Sequence, residues 1–118
     1  MKIDKELMSG SNQLLILKLL SDREMYGYEL IQELARRSEN AFEMKEGTLY
    51  PLLHELEKSR CVSSRVMETP GGRQRKYYSI TDKGLDRLKD KSAEWSFFAG
   101  KVNELLYGSC PEKVPEVG

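Results

Sequence analysis

The spacing of apolar residues changes along the chain, and each spacing predicts a different element. From Leu14 to Leu20 only Lys18 interrupts a run of leucines and isoleucine. That run is too long and leucine-rich for most strands and predicts a helix buried on more than one side. Ser11 or Asn12 stands where a cap is needed, and Ser21-Asp22 ends the pattern. A second helix is predicted from about Tyr26 to Arg37, with Leu30, Ile31 and Leu34 on one face and Glu29, Gln32, Glu33, Arg36 and Arg37 elsewhere. Gly27 in its first turn predicts close approach to another backbone. After a short connection over 38–44, Leu49, Leu52, Leu53 and Leu56 recur at i, i+3, i+4 and i+7, so a third helix covers about 45–58 with one buried face.

Beyond that helix the segments Val62-Ser63-Ser64-Arg65-Val66-Met67-Glu68 and Arg75-Lys76-Tyr77-Tyr78-Ser79-Ile80 are β-prone and flank Thr69-Pro70-Gly71-Gly72. They predict a hairpin over about 62–80 with a flexible, basic tip. From Thr81, a candidate N-cap, the residues Leu85, Leu88, Ser92, Trp95, Ala99, Val102 and Leu106 return at alternating spacings of 3 and 4. That is a heptad seam on a helix over 81–107. Some 26 residues at about 1.5 Å each span about 39 Å, more than a small domain covers by itself. Phe97, Phe98 and Leu105 widen the stripe. Part of this helix is expected on the chain's own first helix and part on a second copy, giving a homodimer whose interface uses Leu14, Leu17, Leu85, Leu88, Trp95, Ala99, Val102 and Leu106. The prolines and polar residues of 108–118 predict a flexible tail.

Composition bounds the class. With 118 residues, 39% hydrophobic and 32% charged, the chain is expected to form one soluble domain with an appendage. No apolar run approaches the roughly 18 to 20 residues that span a bilayer. The N-terminus lacks the cationic start and cleavage site of a signal peptide, so a cytoplasmic protein without a membrane partner is expected. Cys61 and Cys110 stand in no metal-ligand spacing and predict reduced, structural thiols.

The net charge of zero argues against nucleic acid, because affinity for phosphates comes from excess Lys and Arg. Its distribution changes the picture. Residues 1–44 carry a net −2, residues 45–76 a net +3 and residues 77–118 a net −1. Positive charge thus gathers on the third helix and the hairpin, and a symmetric dimer presents that patch twice.

The outer face of the third helix suits a DNA groove. At about 100° per residue Gly47, Pro51, His54 and Lys58 point away from the leucines, flanked by Tyr50 and Glu55. The face is slim at its N-terminal end, as entry into a major groove about 12 Å wide requires. Lys45 and Thr48 lie at the helix N-terminus, where unpaired amides and the dipole hold phosphate. Pro51 removes a helix-interior hydrogen bond, so either the helix begins near Gly47-Thr48 or its second turn is distorted. Arg73, Arg75 and Lys76 on the hairpin suit a phosphate backbone or minor groove. The fold class is therefore mainly α with a small β-hairpin. A winged helix-turn-helix DNA-binding domain spans 1–80, with its recognition helix at 45–58 and its wing at 62–80, followed by a long C-terminal dimerisation helix over 81–107.

Several motifs, in order, resemble the PadR family of bacterial transcriptional regulators over roughly residues 10–107. They are Tyr26-Gly27-Tyr28-Glu29-Leu30; Glu46-Gly47-Thr48-Leu49-Tyr50-Pro51-Leu52-Leu53 with Leu56-Glu57; and Gly71-Gly72-Arg73 with Arg75-Lys76-Tyr77-Tyr78 and Thr81-Asp82-Lys83-Gly84. The resemblance implies a winged-helix dimer, usually a repressor, whose third helix enters the major groove. It implies DNA contacts for Thr48, Tyr50 and Pro51 on the helix and for Arg73 and Lys76 on the wing. Ser59-Arg60-Cys61 departs from the family, where a glycine and apolar residues are common. Because some members respond to aromatic compounds held between subunits, the resemblance also implies a small, planar aromatic effector at Trp95, whose plainer role is to anchor the dimer core.

Catalysis finds no support. His54 is the single histidine and has no serine or cysteine neighbour to pair with as nucleophile. His54 and Cys61 lack the further ligands of a metal site, and no cofactor is implied. Two function classes remain: a homodimeric, sequence-specific repressor reading a pseudo-palindromic operator in double-stranded DNA, and a winged-helix protein-protein interaction module without DNA binding.

Overall fold

Asp4 caps a helix that apolar spacing does not predict. Its carboxylate accepts the Glu6 amide at 2.9 Å, and α1 (Lys5–Ser9) buries Met8. The computed structural model describes residues 1–108. In α2 (Asn12–Asp22), Ile16, Leu17, Leu19 and Leu20 are buried and Leu14 and Leu15 half-buried, so the leucine run is covered on more than one side. Its expected cap is not made. Ser11 occupies the N-cap position but its hydroxyl turns back to donate to the Met8 carbonyl at 3.0 Å.

A two-residue strand, β1 (Met25–Tyr26), leads into α3 (Gly27–Arg37), which buries Leu30 and Leu34. The Glu29 carboxylate accepts the Tyr26 amide at 3.2 Å and holds the entry to α3. Gly27 does sit in a close approach, but to a side chain rather than a backbone: a Cβ there would lie 2.3 Å from the Tyr50 hydroxyl. In α4 (Glu46–Lys58), Leu49, Leu53 and Leu56 are fully buried and Leu52 half-buried. With Ile16, Leu17, Met25 and Leu30 they form the centre of the core. Burying each such side chain contributes roughly 1.5–3 kcal/mol, which dominates the stability of these helices. α4 runs through Pro51 from Glu46 instead of starting near Gly47-Thr48, and the Gly47 carbonyl therefore has no i+4 donor.

The hairpin is the larger part of a three-stranded antiparallel sheet of order β1-β3-β2. β2 (Val62–Glu68) pairs with β3 (Gln74–Ile80) from Val62↔Ile80 to Glu68↔Gln74, and β1 joins β3 through Met25↔Tyr78 and Tyr26↔Tyr77. Alternation places Val62, Ser64, Lys76 and Tyr78 on the face towards the helices and Arg65, Tyr77 and Ser79 on the other. Gly72 closes the tip with a φ of 81°, a left-handed value that glycine adopts freely.

The corner between α4 and β2 sets the direction of the last helix. Arg60 takes a left-handed φ of 66°, its amide donates to the Glu57 carbonyl at 3.0 Å and the Cys61 amide to the Leu56 carbonyl at 2.8 Å. This is a Schellman ending made with arginine where glycine is usual, so the departure at Ser59-Arg60-Cys61 leaves the cap geometry intact. Cys61 is buried there. Thr81 then caps α5 (Asp82–Tyr107), accepting the Gly84 amide at 3.0 Å while its own amide donates to the Cys61 carbonyl at 3.0 Å. Gly84 admits this packing because a Cβ would stand 2.1 Å from the Cys61 carbonyl oxygen. Of the tail expected to be flexible over 108–118, residues 109–118, Cys110 among them, lie outside the described residues.

Two substitutions at this corner have opposite expected signs. Arg60→Gly relieves the left-handed penalty and should raise stability by about 1 kcal/mol. Gly84→Ala drives a methyl into a backbone oxygen and should lower it by about 1–3 kcal/mol. Urea denaturation at constant slope measures both.

Candidate nucleic-acid interface

α4 turns its buried leucines inward and leaves Gly47, Tyr50, Pro51, His54 and Lys58 exposed along one side, with Lys45 exposed at the N-cap and Thr48 half-buried beside it. The N-cap residue Lys45 makes no side-chain cap, so the first-turn amides remain free of an internal carboxylate or hydroxyl cap. Lys45, Lys58 and Arg73 enter no ion pair among the described residues. The Tyr50 ring leans over Gly27, and burial, then the charges of Glu46 and Tyr78, hold its phenol above the usual range.

The wing's basic residues are not equivalent. Arg73 is exposed at the tip. Arg75 is half-buried, its guanidinium 4.4 Å from the centre of the Tyr26 ring. Lys76 donates to the Glu57 carboxylate on α4 at 3.3 Å and lies 5.5 Å over the Tyr78 ring. Between α4 and the wing an open cleft of about 370 Å³ is bordered by Tyr26, Gly27, Tyr50, Arg75, Lys76 and Tyr78. The structure thus brings Tyr50 of the helix together with Arg75 and Lys76 of the wing, with aromatic rings between the cations, while Lys45 and Thr48 border a separate cleft with Lys2, Lys5 and Glu43.

The seam on α5 divides in two. Gly84 is buried and Leu88 half-buried against the body. Leu85 and Trp95 are 44% and 46% exposed, Leu106 is 64% exposed, and Ala99 and Val102 are half-buried. Phe97, Phe98, Leu105 and Tyr107 add further uncovered apolar surface. Leu17 has no part in such a surface: it is fully buried in the chain's own core and offers a partner nothing to touch, whereas Leu14 remains half-buried. The Trp95 and Phe98 rings stand 5.8 Å apart and, with Leu7, Leu14 and Phe97, line a cleft of about 590 Å³ between α1, α2 and α5.

Comparison with known proteins decides the family. A family model described as the transcriptional regulator PadR-like family matches residues 16–90. The chain belongs to the PadR-like family of transcriptional regulators. It is 37% identical over 88 residues to a transcriptional regulator of Mycobacterium tuberculosis, covering 73% of this chain and 77% of that one. A PadR-like transcriptional regulator from Bacillus cereus superposes with a TM-score of 0.75 at 35% identity, over 88% of this chain and 99% of that one. A transcriptional regulator from Clostridium thermocellum gives 0.79 at 30% identity, over 85% and 97%.

In this PadR-like chain sequence reasoning missed the acidic partners of the wing. Glu57 stands in the Leu56-Glu57 motif, which carried no assigned role, and it binds Ser64 as well as Lys76. Glu24 binds Arg65, which lies 41 positions away, and no local pattern signals such a pair. Among the described residues no helix is long and apolar enough to cross a membrane.

Gly47 separates packing from function. A Cβ there meets nothing within 4 Å, so Gly47→Ala should stabilise the helix by about 0.5–1 kcal/mol. The same methyl thickens the slim leading end of α4, and duplex DNA affinity, followed by fluorescence anisotropy, should fall.

Proposed function

We propose that this PadR-like protein is a cytoplasmic, homodimeric, sequence-specific DNA-binding repressor of transcription. The observation that carries the reading is the set of exposed cations free of acidic partners among the described residues: Lys45 at the start of α4, Lys58 at its end and Arg73 at the tip of the wing. α4 enters a major groove, Arg73 reaches the adjoining backbone, and α5 joins two such heads through Trp95, Ala99, Val102 and Leu106. A two-fold dimer reads two half-sites, which makes the operator pseudo-palindromic. Residues 1–80 act as the reading head and 81–107 as the dimer helix.

The cleft beside Trp95 supports a small effector. Its volume of about 590 Å³ falls in the range of pockets that enclose small organic molecules, and its ring-lined wall suits a planar aromatic compound. Because the cleft borders α5, a ligand that favours one separation of the two heads over another shifts the population out of the DNA-competent form.

Zero net charge favours the rival, a protein-interaction module on the same face, and salt separates the two. A DNA reader loses affinity log-linearly with salt, with a slope of about −0.9 per neutralised phosphate. Arg73→Ala should make that slope shallower by about 1 per head. Val102→Glu with Leu106→Glu should give a folded monomer by sedimentation and strip specific binding. Salt-independent association with DNA, or unchanged dimer mass, contradicts the proposal.

A further inference from the structure

Two carboxylates grip the wing from its opposite faces, and each reaches both of its strands. On the face towards the helices Glu57 accepts the Ser64 hydroxyl of β2 and, through its other oxygen, the Lys76 ammonium of β3 at 3.3 Å. On the other face Glu24 accepts the Arg65 guanidinium of β2, with Nε at 3.1 Å, and the Ser79 hydroxyl of β3 at 3.3 Å. A hairpin of seven-residue strands is marginal by itself, so these ties help to fix its angle to α4. They also consume charge. The Ser64 hydroxyl, followed by Lys76, holds the Glu57 carboxyl below the usual carboxylate range, and Glu57 raises the Lys76 ammonium, so both stay ionised at neutral pH.

We propose that Glu57 is a positioning and specificity-determining residue of the DNA-binding surface, which docks the wing on α4 and withholds Lys76 from the phosphate backbone. The inference rests on the DNA-binding reading given above. A lysine free to meet any phosphate raises affinity for every sequence alike, because backbone contacts carry no base information. With Glu57 beside it, Lys76 stays a structural cation stacked over Tyr78, and the wing's electrostatic contact falls to Arg73 at the tip. Glu57 thereby lowers the non-specific background against which the operator competes.

The test is a titration of the full chain with a labelled random-sequence duplex, at KCl concentrations from about 50 to 200 mM. The proteins compared are wild type, Glu57→Gln, Lys76→Ala, the double variant and Ser64→Ala. Glu57→Gln keeps an acceptor for Ser64 but drops the charge. It is expected to bind the duplex several-fold more tightly and to steepen the salt slope by about 0.9 per head, the value of one more released counterion. Lys76→Ala should keep the wild-type slope, and the double variant should match Lys76→Ala. Ser64→Ala loosens the grip on Glu57 without changing charge, and its slope should stay at the wild-type value. Thermal unfolding of each variant separates loss of fold from loss of masking. A Glu57→Gln slope equal to wild type, or a steeper slope that survives in the double variant, overturns the inference alone. A wild type whose binding to duplex is absent or indifferent to salt overturns the DNA reading and this inference together.

Discussion

The rest of this molecule depends on an apolar stripe that the described residues leave uncovered. α5 has 26 residues, and its first turns pack on the body through buried Gly84 and half-buried Leu88. From Trp95 onward the helix carries Phe97, Phe98, Leu105, Leu106 and Tyr107 into solvent. An uncovered apolar strip of that length is costly, because each square ångström returned to cover is worth about 25 cal/mol, and single chains rarely leave such a strip bare. The proposed dimer answers this constraint. It also makes the DNA reading intelligible, since one head with few base-reading side chains gains by being doubled.

What connects the stripe to the reading helix is a rigid corner. α4 ends in the left-handed Arg60, Cys61 follows at once, and Thr81 and Gly84 fasten the start of α5 to the Cys61 carbonyl. A displacement of α5 at the seam therefore has a short mechanical route to α4, with little soft structure between. The cleft that includes Trp95 lies against α5 and α2, on the same route. Allosteric control in the proposed repressor requires no more than two separations of the heads and a ligand that prefers one of them.

Much of this architecture was legible in the sequence because it is written in period. Leu49, Leu53 and Leu56 repeat as a helix must, and all are buried. The seam from Leu85 to Leu106 repeats as a long helix must, and α5 carries it. What stayed hidden was short or remote. α1 and β1 have five and two residues, too few to show a period. Leu17 lay in a run apolar on nearly every side, and periodicity cannot tell the inward face of such a helix from an outward one; the packing assigns it to the core. Gly84 and Gly27 are close-approach positions whose partners, Cys61 and Tyr50, only the tertiary fold brings near. At the candidate site the cations were visible by composition, but the carboxylates that tie down Lys76 and Arg65 were not, because pairs such as Glu24 and Arg65 obey no local rule.

The proposed reading head of modest charge, duplicated in the proposed dimer, makes a definite demand on DNA. The most direct measurement is selection of bound duplexes from a random pool at physiological salt. The account predicts recovery of an inverted repeat whose half-site centres lie about one helical turn, or a whole multiple of it, apart. Enrichment of a single unrepeated site, or no enrichment at all, would contradict the coupling of head and dimer helix on which the account stands.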